Sequence, residues 1–314
     1  MKVTLLGTGT PLLDIHRFGM STLVEAGGQQ LLFDAGRGVA IRLHQAQVLL
    51  RDITALFITH LHSDHMTGLP DLYATAPLAV GGHRAVPLEV WGPQGIAHVA
   101  RGLELMFAEN SRFRLKAKAL VAEATTMSTH DIPAEGGTVY DKGGVKVTAF
   151  LVQHGEVTPA YGYRIDEGAQ AVVLSGDTIY SPNVIRHAQG VELLVHCAAI
   201  GSRRLEAEAP AFVKQFYASL ANPEMAGRVL YETRPRLAVF SHIALRSVGD
   251  IPRPSMDDLT SRVRAVYDGP FVIGEDLMAF SVTSHGVTAE PYSAAIRQQE
   301  PNEPITPRDH VRAF

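Results

Sequence analysis

The sequence predicts an α/β protein in which two β-sheets pack against each other and helices cover their outer faces. Short runs typical of β-strands alternate with segments of helical periodicity along most of the chain. This order occurs once before and once after Gly144, and no linker separates the two halves. Because each sheet must bury its apolar face against another layer, the pattern predicts two packed sheets with helices outside.

The first half begins with three strand-like runs and then alternates helices with strands. Gly27 and Gly28 suit a tight turn between the second and third runs, which indicates a β-meander. Pro93 lies close to the first turn of a helical segment, where proline is tolerated. Residues 110–143 are less regular, and we expect an inserted hairpin or loop there. The predicted elements are strands KVTLLG, MSTLVEAGG and QQLLFDAG, helix GVAIRLHQAQVLL, strands ITALFITH and PLEVWG, and helix PQGIAHVARGLELMFAE.

The second half repeats this kind of order from Gly144 onward, with a helix expected near residues 182–189. The other predicted elements are strands VKVTAFLV, AYGYRI, AVVLSGD and VELLVHC, helices EAPAFVKQFYASL and PEMAGRVLYET, strand RLAVFSH, helix MDDLTSRVRAVY, and strands PFVIG and LMAFSVT. The C-terminal residues are polar and rich in proline. We therefore expect one domain over residues 1–285 and an extended tail or arm over residues 286–314.

The composition is that of a globular protein. Apolar residues make up 46% and charged residues 19% of the chain, which excludes disordered and collagen-like classes. The formal net charge is −4, so no overall basic field attracts a phosphate backbone, and nucleic-acid binding would need a local patch. No apolar run reaches the roughly 18 residues that a membrane span requires, so we expect no membrane association.

Cysteine usage and the N-terminus bear on the compartment. Cys197 is the single cysteine in the sequence, which removes intramolecular disulfides and any CxxC metal site. The N-terminal residues MKVTLLGTGTPLL resemble a first strand more than a signal peptide, because Thr and Gly interrupt the apolar piece. We expect a cytoplasmic protein.

A dense group of metal-binding residue types follows the apolar run ITALFI. His60, His62, Asp64 and His65 lie within six residues of one another. If the strand continues, His60 and His62 point the same way; if the chain turns into a loop, all four side chains converge from one curved segment. Four ligands on so short a segment are too crowded for one closed tetrahedral zinc. The group therefore predicts two adjacent metal ions.

Two ions need further ligands, and three polar residues at the ends of later strands are candidates. His154 follows VKVTAFLVQ, Asp177 follows AVVLSG, and His242 follows RLAVFS. In each case an apolar run ends at the residue, where the edge of a sheet would present it to a common rim. With the loop, these positions make seven candidate ligands.

The spacing HxHxDH, followed by a later His, Asp and His, resembles the metallo-β-lactamase superfamily. Residues 1 to about 283 resemble its ribonuclease Z branch. The segments that carry this resemblance are GTGTPLLDIHRFGMSTLVE, LLFDAGRGVAIRL, PLEVWGPQGI, QHGEVTPAYGYRI, VVLSGDT and AVFSHI. The resemblance implies an αββα sandwich of two mixed β-sheets, with the metals at one edge of both sheets.

The resemblance also implies which residues hold the ions. It puts His60, His62 and His154 on one ion and Asp64, His65 and His242 on the second. Asp177 would lie between the two ions. We expect Zn²⁺ at both positions, with Mn or Fe as alternatives.

Two further residues are expected to support the ligands. By resemblance, Asp34 in FDAG accepts a hydrogen bond that orients the first histidines, which would also fix their tautomers. A turn Asp after a strand is the simpler alternative. His196 in VHCAAI matches the first residue of the family's H-E-A motif, and we expect it beside the ligands.

The chemistry expected of such a site is hydrolysis. Two divalent ions about 3.5 to 4 Å apart activate a water and neutralise developing charge. A metal-bound water can have its pKa lowered from 15.7 to about 7, so a metal-bound hydroxide would serve as the nucleophile. The absence of a G-x-S-x-G elbow from the sequence agrees with this. Asp64 is the predicted catalytic residue, because it could accept a proton as well as bind metal.

The sequence departs from the ribonuclease Z pattern at two positions. The family has a Glu in H-E-A and a His in a later H-S-T-like motif, which together transfer a proton at the leaving group. Here Cys197 stands in place of the Glu, and Leu220 lies near the position of the His. An alkoxide leaving group needs such an acid, worth typically 10²–10⁴-fold, whereas a carboxylate or stabilised phenolate needs less help. The family's basic tRNA-gripping arm is also not evident, since SRFRLKAKAL is brief.

Three functions follow from these observations. The first is a dinuclear metallohydrolase for a small ester-like molecule, such as a lactone, an aryl ester or sulfate, or a small phosphodiester. The second is a ribonuclease Z-like enzyme of tRNA 3′ processing or another phosphodiesterase, although the departures make nucleic acid the less expected partner. The third is a redox or non-catalytic relative, and iron as the bound metal would indicate the redox version.

The substrate pocket is predicted from residues near the ligands. Tyr73 follows the metal loop, Tyr161 follows His154, Cys197 replaces the Glu, and Arg246 lies four residues past His242. Aromatic side chains are more often core than pocket residues, so a core position is the alternative for both tyrosines. Members of the resembled branch commonly form homodimers, and we expect the same here.

Overall fold

The first β-sheet is mixed. The computed structural model describes residues 1–292. Strands β3 to β6 of this sheet run parallel and the remaining pairs antiparallel. The strands are β1 (Lys2–Gly7), β2 (Ser21–Ala26), β3 (Gln29–Phe33), β4 (Ile53–Phe57), β5 (Leu88–Gly92), β6 (Met127–Asp131), β14 (Ala279–Thr283) and β15 (Gly286–Glu290), in the order β15-β14-β1-β2-β3-β4-β5-β6 across the sheet.

The second sheet repeats this design. Strands β10 to β13 run parallel, and β7 to β10 run antiparallel. Its strands are β7 (Gly137–Lys142), β8 (Val145–Leu151), β9 (Tyr161–Glu167), β10 (Gln170–Leu174), β11 (Leu193–Gly201), β12 (Leu237–Arg246) and β13 (Phe271–Ile273), in the order β13-β12-β11-β10-β9-β8-β7.

Three apolar layers hold the sheets and helices together. The middle layer lies between the sheets and includes Val24, Phe57 and Tyr163. An outer layer covers each sheet: Leu23 and Leu72 lie in the first, and Leu194 and Val229 in the second. The helices are α1 (Val39–Gln45), α2 (Leu69–Thr75), α3 (Ile96–Met106), α4 (Ala108–Lys116), α5 (Pro182–His187), α6 (Arg203–Glu208), α7 (Pro210–Phe216), α8 (Pro223–Thr233) and α9 (Met256–Arg264).

This architecture confirms the predicted fold class of two mixed sheets flanked by helices. Alternating side chains of β2 explain it locally, because Leu23 faces the outer layer while Val24 faces the other sheet. Within residues 1–292, no helix has the length and apolar character needed to cross a lipid bilayer.

Residues 110–143 are more regular than the sequence indicates. They contain most of α4, then β6 and β7. Strand β6 ends the first sheet and β7 begins the second, so this stretch is the crossover between the sheets. Its strands were hard to predict because most of their side chains are partly or fully exposed, which removes the apolar alternation of a half-buried strand.

Two predicted helices are shorter than expected. The segment EAPAFVKQFYASL forms no single helix, because Pro210 lacks an N–H and forces the preceding Ala209 out of the helical region, at φ −132° and ψ 56°. Helices α6 and α7 meet at this break. Helix α1 ends at Gln45, shortly before Gln47 takes a positive φ of 61°.

The predicted domain boundary at residue 285 falls within a hairpin. Strand β15 begins at Gly286 and pairs antiparallel with β14, so residues 286–290 belong to the first sheet and not to a tail. The remainder of the predicted tail, residues 293–314, lies outside the described residues.

The candidate ligands meet at one edge of the sandwich. The metal-binding segment follows β4, His154 follows β8, and Asp177 follows β10, each past the carboxyl end of its strand. His242 lies within β12 itself. This arrangement brings four distant segments of chain to a common rim.

Candidate metal centre

The segment from His60 to His65, here called the metal loop, is a curved loop. Strand β4 ends at Phe57, and Ser63–His65 form one turn of 3₁₀ helix before α2. The loop alternative is therefore the one the structure adopts. Asp64 and His65 are buried, whereas His62 is exposed and borders solvent.

Three histidine rings converge on one point. His62 Nδ1 lies 2.9 Å from His60 Nε2 and 3.2 Å from His154 Nε2. Nitrogen atoms bound tetrahedrally to one zinc at about 2.0 to 2.1 Å lie roughly 3.3 Å apart. The spacing of His60, His62 and His154 therefore fits a shared ion.

A second group forms beside the first. His242 Nε2 lies 3.1 Å from Asp64 Oδ2, and His65 Nε2 lies 3.6 Å from the same oxygen. The ligand atoms of Asp64, His65 and His242 all lie within 4.8 Å of one another. The group offers two nitrogens and one carboxylate oxygen, a donor set that suits zinc and other first-row divalent metals.

Asp177 lies between the two groups. Its Oδ2 is 3.8 Å from His154 Nε2 of the first group and 3.6 Å from His65 Nε2 of the second. Its Oδ1 is 3.3 Å from His242 Nδ1. A carboxylate with both oxygens facing such neighbours is placed to contact two ions.

Hydrogen bonds to the outer nitrogens of two rings turn their other nitrogens toward the centre. His154 Nδ1 donates to the Ser219 carbonyl at 2.7 Å, and His65 Nδ1 donates to Asp34 Oδ2 at 2.7 Å. Within residues 1–292, the buried His65 Nε2 has no hydrogen-bond partner. Buried polar atoms are normally paired, so this orphaned nitrogen fits a metal ligand.

Asp34 supports the metal loop from behind. It accepts hydrogen bonds from the Thr59 N–H at 2.8 Å and from His65, and the Thr59 hydroxyl lies 3.0 Å from His60 Nδ1. Asp34 is buried, at a positive φ of 59°, a conformation that Asp tolerates better than most residues. The geometry matches the expected orienting role, with Thr59 as an intermediate that the sequence did not indicate.

A bulge in β12 aims His242 at the centre. Cys197 of β11 pairs with Ser241 and Ala198 pairs with Ile243, so His242 has no partner residue. Its φ is 48°, in the left-handed region. Bulges redirect side chains beside active sites, and such strain in a non-glycine residue persists where the surroundings enforce it.

The surroundings of the site shift the pKa values of its histidine and aspartate side chains. Burial lowers the pKa of the His60 imidazole well below its ordinary value, and neighbouring histidines add to this effect. Burial alone would raise the pKa of Asp177, but His242 and His65 outweigh it and hold this pKa well below its usual range. Neutral imidazole and ionised carboxylate are the forms that bind metals.

Two predicted pocket residues are core residues. Tyr161 is fully buried between the sheets, and its hydroxyl donates to the Pro133 carbonyl. Tyr73 is also buried, with its hydroxyl bonded to the Thr125 carbonyl and its ring against Phe107. Neither ring offers a surface to a substrate, because both are packed inside the protein, so the core alternative holds for both.

His196 borders the cavity that His65, Asp177 and His242 also line, but its ring faces the other side of β11. Its neighbours Leu194 and Ala198 face the outer layer, so the alternation of β11 puts His196 on that face, near the ring of Phe240. No hydrogen bond or ion pair within the described chain joins it to a candidate ligand. The expected place beside the ligands is corrected, because strand alternation turns the side chain away from the site.

The two positions that depart from the ribonuclease Z pattern meet in space. Cys197 and Leu220 are buried in one cluster, here called the apolar wall, whose members are Cys197, Ala199, Phe216, Leu220 and Ala244. The wall borders the metal centre, since His154 donates to the carbonyl of Ser219 and Cys197 contacts the residue after Asp177. Arg246 lies beside the wall, with its guanidinium 5.3 Å from the Phe216 ring centre.

Sequence reasoning missed Thr59 and Ser219, which orient ligand rings. Thr59 directly precedes His60, so its adjacency was an available signal. Ser219 is 65 residues from His154 and acts through its backbone carbonyl, for which no residue type gives a signal.

The chain is similar in sequence to a known protein family and to several named proteins. The family model described as "Beta-lactamase superfamily domain" matches residues 29–243. A protein named Ribonuclease Z from Mycolicibacterium gilvum (strain PYR-GCK) is 32% identical over 93% of this chain and 99% of its own length. Another of that name, from Mycobacterium sp. (strain KMS), is 36% identical over 63% of this chain and 68% of its own length.

Solved structures of similar fold are more distant in sequence. The short form of human tRNase Z superposes with a TM-score of 0.66 at 21% identity, covering 90% of this chain and 100% of that one. The metallo-beta-lactamase fold protein YhfI from Bacillus subtilis gives a TM-score of 0.64 at 20% identity, covering 88% and 97%. These likenesses concern the fold.

Proposed function

The chain belongs to the metallo-β-lactamase superfamily as a ribonuclease Z-like hydrolase, and on this premise we propose that it is a dinuclear metallohydrolase for a small ester-like molecule. The substrate classes proposed are lactones, aryl esters or sulfates, and small phosphodiesters. The metal proposed is Zn²⁺, with Mn or Fe as alternatives.

The observation that carries the choice of substrate is the apolar wall. In the resembled family, the positions of Cys197 and Leu220 supply proton transfer to the leaving group. Here both are buried in an apolar cluster beside the metal centre. Burial raises the pKa of the Cys197 thiol to about 12, so it is no acid for a leaving group at neutral pH. Leaving groups that depart without a proton, such as phenolates and carboxylates, suit such a site.

The residues of the centre divide the remaining work. When bound, two divalent ions supply an activated water and neutralise charge on the reacting group. His60, His62 and His154 would hold one ion, and Asp64, His65 and His242 the other. The Asp64 carboxylate, hydrogen-bonded to His242, is placed to take a proton at the centre. Burial would raise its pKa, but His242 and His65 outweigh burial and keep the carboxylate ionised.

Arg246 is proposed to bind an anionic group of the substrate. Its guanidinium is half-buried against Phe216, and no carboxylate of the described residues lies within 4.0 Å of it. A guanidinium without a carboxylate partner, next to an apolar surface, can bind an anionic group such as a carboxylate or a sulfate through its paired N–H donors.

The function is tested by a metal analysis followed by a substrate panel. We expect two divalent ions per chain and turnover of one substrate among p-nitrophenyl sulfate, bis(p-nitrophenyl) phosphate and a lactone series. Predominant iron in freshly purified protein, without hydrolysis of the panel, would instead indicate a redox relative.

Asp64→Ala is the first prediction for this site. The variant removes a ligand and a proton acceptor, so activity should fall at least 10³-fold and the bound metal should fall to about one ion per chain. Steady-state kinetics and metal analysis on the same preparation measure both effects. Asp71→Ala, at an exposed acid on α2, is the matched control. Wild-type activity in Asp64→Ala would overturn the site assignment.

The second candidate function is tRNA 3′ processing, which the relatives named Ribonuclease Z favour. Helix α4 carries the basic stretch on a surface with no buried residue, but Glu109 pairs with Arg112 there. A nuclease should bind precursor tRNA with an affinity that falls steeply as salt rises. Cleavage of precursor tRNA together with that salt dependence would establish this function in place of the first.

A further inference from the structure

The turn that carries Asp177 is tightly built. It follows β10 and comprises residues 175–178. Gly176 has a positive φ of 61°, and a Cβ there would lie 2.5 Å from the Tyr161 carbonyl oxygen. Because Gly176 gives the backbone freedom that other residues lack, the turn needs contacts from outside to hold Asp177 in one place.

Cys197 contacts this turn on both sides of Asp177. Its backbone N–H donates to Ser175 Oγ at 3.3 Å, two residues before Asp177. Its thiol accepts from the Thr178 N–H and donates to the Thr178 carbonyl, both at 3.3 Å. One residue of β11 thereby brackets the ligand.

The state of the thiol suits this double contact. Cys197 is 3% exposed, and its side chain faces the apolar wall as well as the turn. A protonated thiol is both a donor and an acceptor, whereas the ionised carboxylate of a Glu only accepts. A Glu at this position could not donate to the Thr178 carbonyl.

We propose that Cys197 is a positioning residue that clamps the Asp177 turn and thereby sets the affinity of the metal centre. Cys197, Ser175 and Thr178 are here called the clamp. This inference rests on the proposed function only in taking Asp177 as a ligand common to both ions. It gives the position of the family's Glu a new role in this chain, in metal binding and not in proton transfer.

The clamp also reaches the first group of ligands. Ile179 N–H donates to the Gln153 carbonyl at 2.9 Å, and Gln153 N–H donates to Thr178 Oγ1 at 3.2 Å. Gln153 directly precedes His154. A shift of Thr178 would therefore move His154 along with Asp177.

Small shifts of these ligands are costly. Ligand atoms at metal sites lie within about 0.2 Å of their ideal distances. Loss of a residue that orients a ligand typically lowers metal affinity 10–100-fold. Cys197→Ala leaves the buried Thr178 N–H without its acceptor. The Thr178 carbonyl keeps the Ala221 N–H at 2.8 Å, and the backbone N–H of residue 197 still donates to Ser175 Oγ. The variant therefore frees the turn only at the Thr178 N–H.

The test is a Co²⁺ titration of chelator-treated protein, followed by the visible absorption of the bound ion. Cys197→Ala should bind Co²⁺ 10–100-fold more weakly than the wild type, and its absorption bands should shift because the geometry at Asp177 changes. Cys197→Ser keeps a donor and an acceptor, but its smaller oxygen lies farther from the Thr178 backbone than the sulfur does, so it should lose two- to tenfold. In the metal-free proteins, the amide hydrogen of Thr178 should exchange faster in Cys197→Ala than in the wild type. The other variants should keep the wild-type rate.

Val213→Ala is the matched control, because it removes apolar contacts from a neighbouring buried cluster on α7 without touching the clamp or the chain around Ser219. It should bind Co²⁺ within about twofold of the wild type. Wild-type affinity in Cys197→Ala, or an equal loss in Val213→Ala, would overturn the proposal. If Cys197→Ala does not fold, Cys197→Ser decides: a loss of two- to tenfold supports the clamp, and either wild-type affinity or a loss above tenfold contradicts it.

The Co²⁺ titration tests the clamp independently of the proposed hydrolase activity. A wild type that binds two Co²⁺ ions but hydrolyses nothing in the panel contradicts the hydrolase assignment and leaves the clamp measurable. Wild-type metal affinity in Cys197→Ala contradicts the clamp whatever the activity.

Discussion

Asp34 shows how one side chain controls several ligands. Its carboxylate binds His65 directly and reaches His60 through the Thr59 hydroxyl. Each of these contacts holds an Nδ1 atom, which leaves the opposite ring nitrogen for an ion. The orientations of the two rings are thus set before any metal binds, which reduces the reorganisation that binding requires.

His196 links the folding stability of the protein to pH. Within residues 1–292 both ring nitrogens lack a hydrogen-bond partner, and burial lowers the pKa of this imidazole to about 4. A histidine in the unfolded chain has a pKa near 6.5. The unfolded state therefore binds more protons, and folding stability falls as pH drops from about 6.5 to 4, by about 3 kcal/mol from this residue.

We predict that His196→Leu removes this contribution. The free energy of unfolding of His196→Leu minus that of the wild type should increase steadily as pH falls from 7 to 4. Urea unfolding of chelator-treated protein at a series of pH values measures it. His196→Phe, which keeps an aromatic ring, should behave alike. A difference that stays constant with pH in both variants contradicts the prediction.

At the scale of elements, the bulge of β12 decides whether the second group of ligands forms. Strand β11 is paired with β12 on both sides of His242, so the extra residue cannot be absorbed without changing the register. A one-residue slip in the pairing would turn every side chain of the strand, Ser241 and Ile243 included, to the other face of the sheet. The bulge is therefore as necessary to the centre as the imidazole it carries.

The bulge predicts an unusual order of stability for two variants. His242→Gly and His242→Ala both lose the imidazole, but the φ of 48° favours glycine, so the Gly variant should be more stable by about 1 kcal/mol. Denaturant unfolding of the metal-free proteins provides the comparison. At neighbouring Ser241, which is not among the residues with positive φ, the order should reverse, with Ala the more stable. The same order at both positions would argue against the bulge.

The break between α6 and α7 places the apolar wall. Pro210 divides the predicted helix, and the chain then carries Phe216 and Leu220 to the metal side of β11. Tyr217 anchors this segment, since its hydroxyl accepts from Gly201 N–H and donates to Glu206. The wall is thus fixed by contacts among α6, α7 and β11.

At the scale of the whole molecule, the metal centre joins the two sheets. The metal loop extends from the first sheet, whereas His154, Asp177 and His242 belong to the second. Ions held by both sets would connect the sheets at their common edge. Because the ligands converge only in the folded chain, metal binding should stabilise the fold.

We predict that Zn²⁺ raises the thermal unfolding midpoint of chelator-treated protein. At a free concentration 100 times the Kd, one site adds about 2.7 kcal/mol of stability. The single tryptophan, Trp91, lies in the layer between the sheets, so its fluorescence should report the transition. Asp64→Ala should show a smaller rise. An unchanged midpoint in the wild type would contradict metal binding by the folded chain.

Local patterns explain how much of the molecule was predictable. The metal loop has its four candidate ligands within six residues, and apolar runs end two or three residues before His154, Asp177 and His242. These signals need no knowledge of distant contacts. The outcome for Tyr161 and His196 was different, because whether such a side chain faces the core, the site or a helix depends on the register of its strand.

The sequence by itself determined the fold class and the set of seven residues that meet at the centre, because both follow from periodicity and from residue types at strand ends. Only the tertiary structure decided that β6 and β7 belong to different sheets, that His242 enters through a bulge, and that Cys197 and Leu220 share one apolar wall. The physical reason is that pairing, bulging and packing join segments far apart in the chain. Their energies depend on partners that no local pattern specifies.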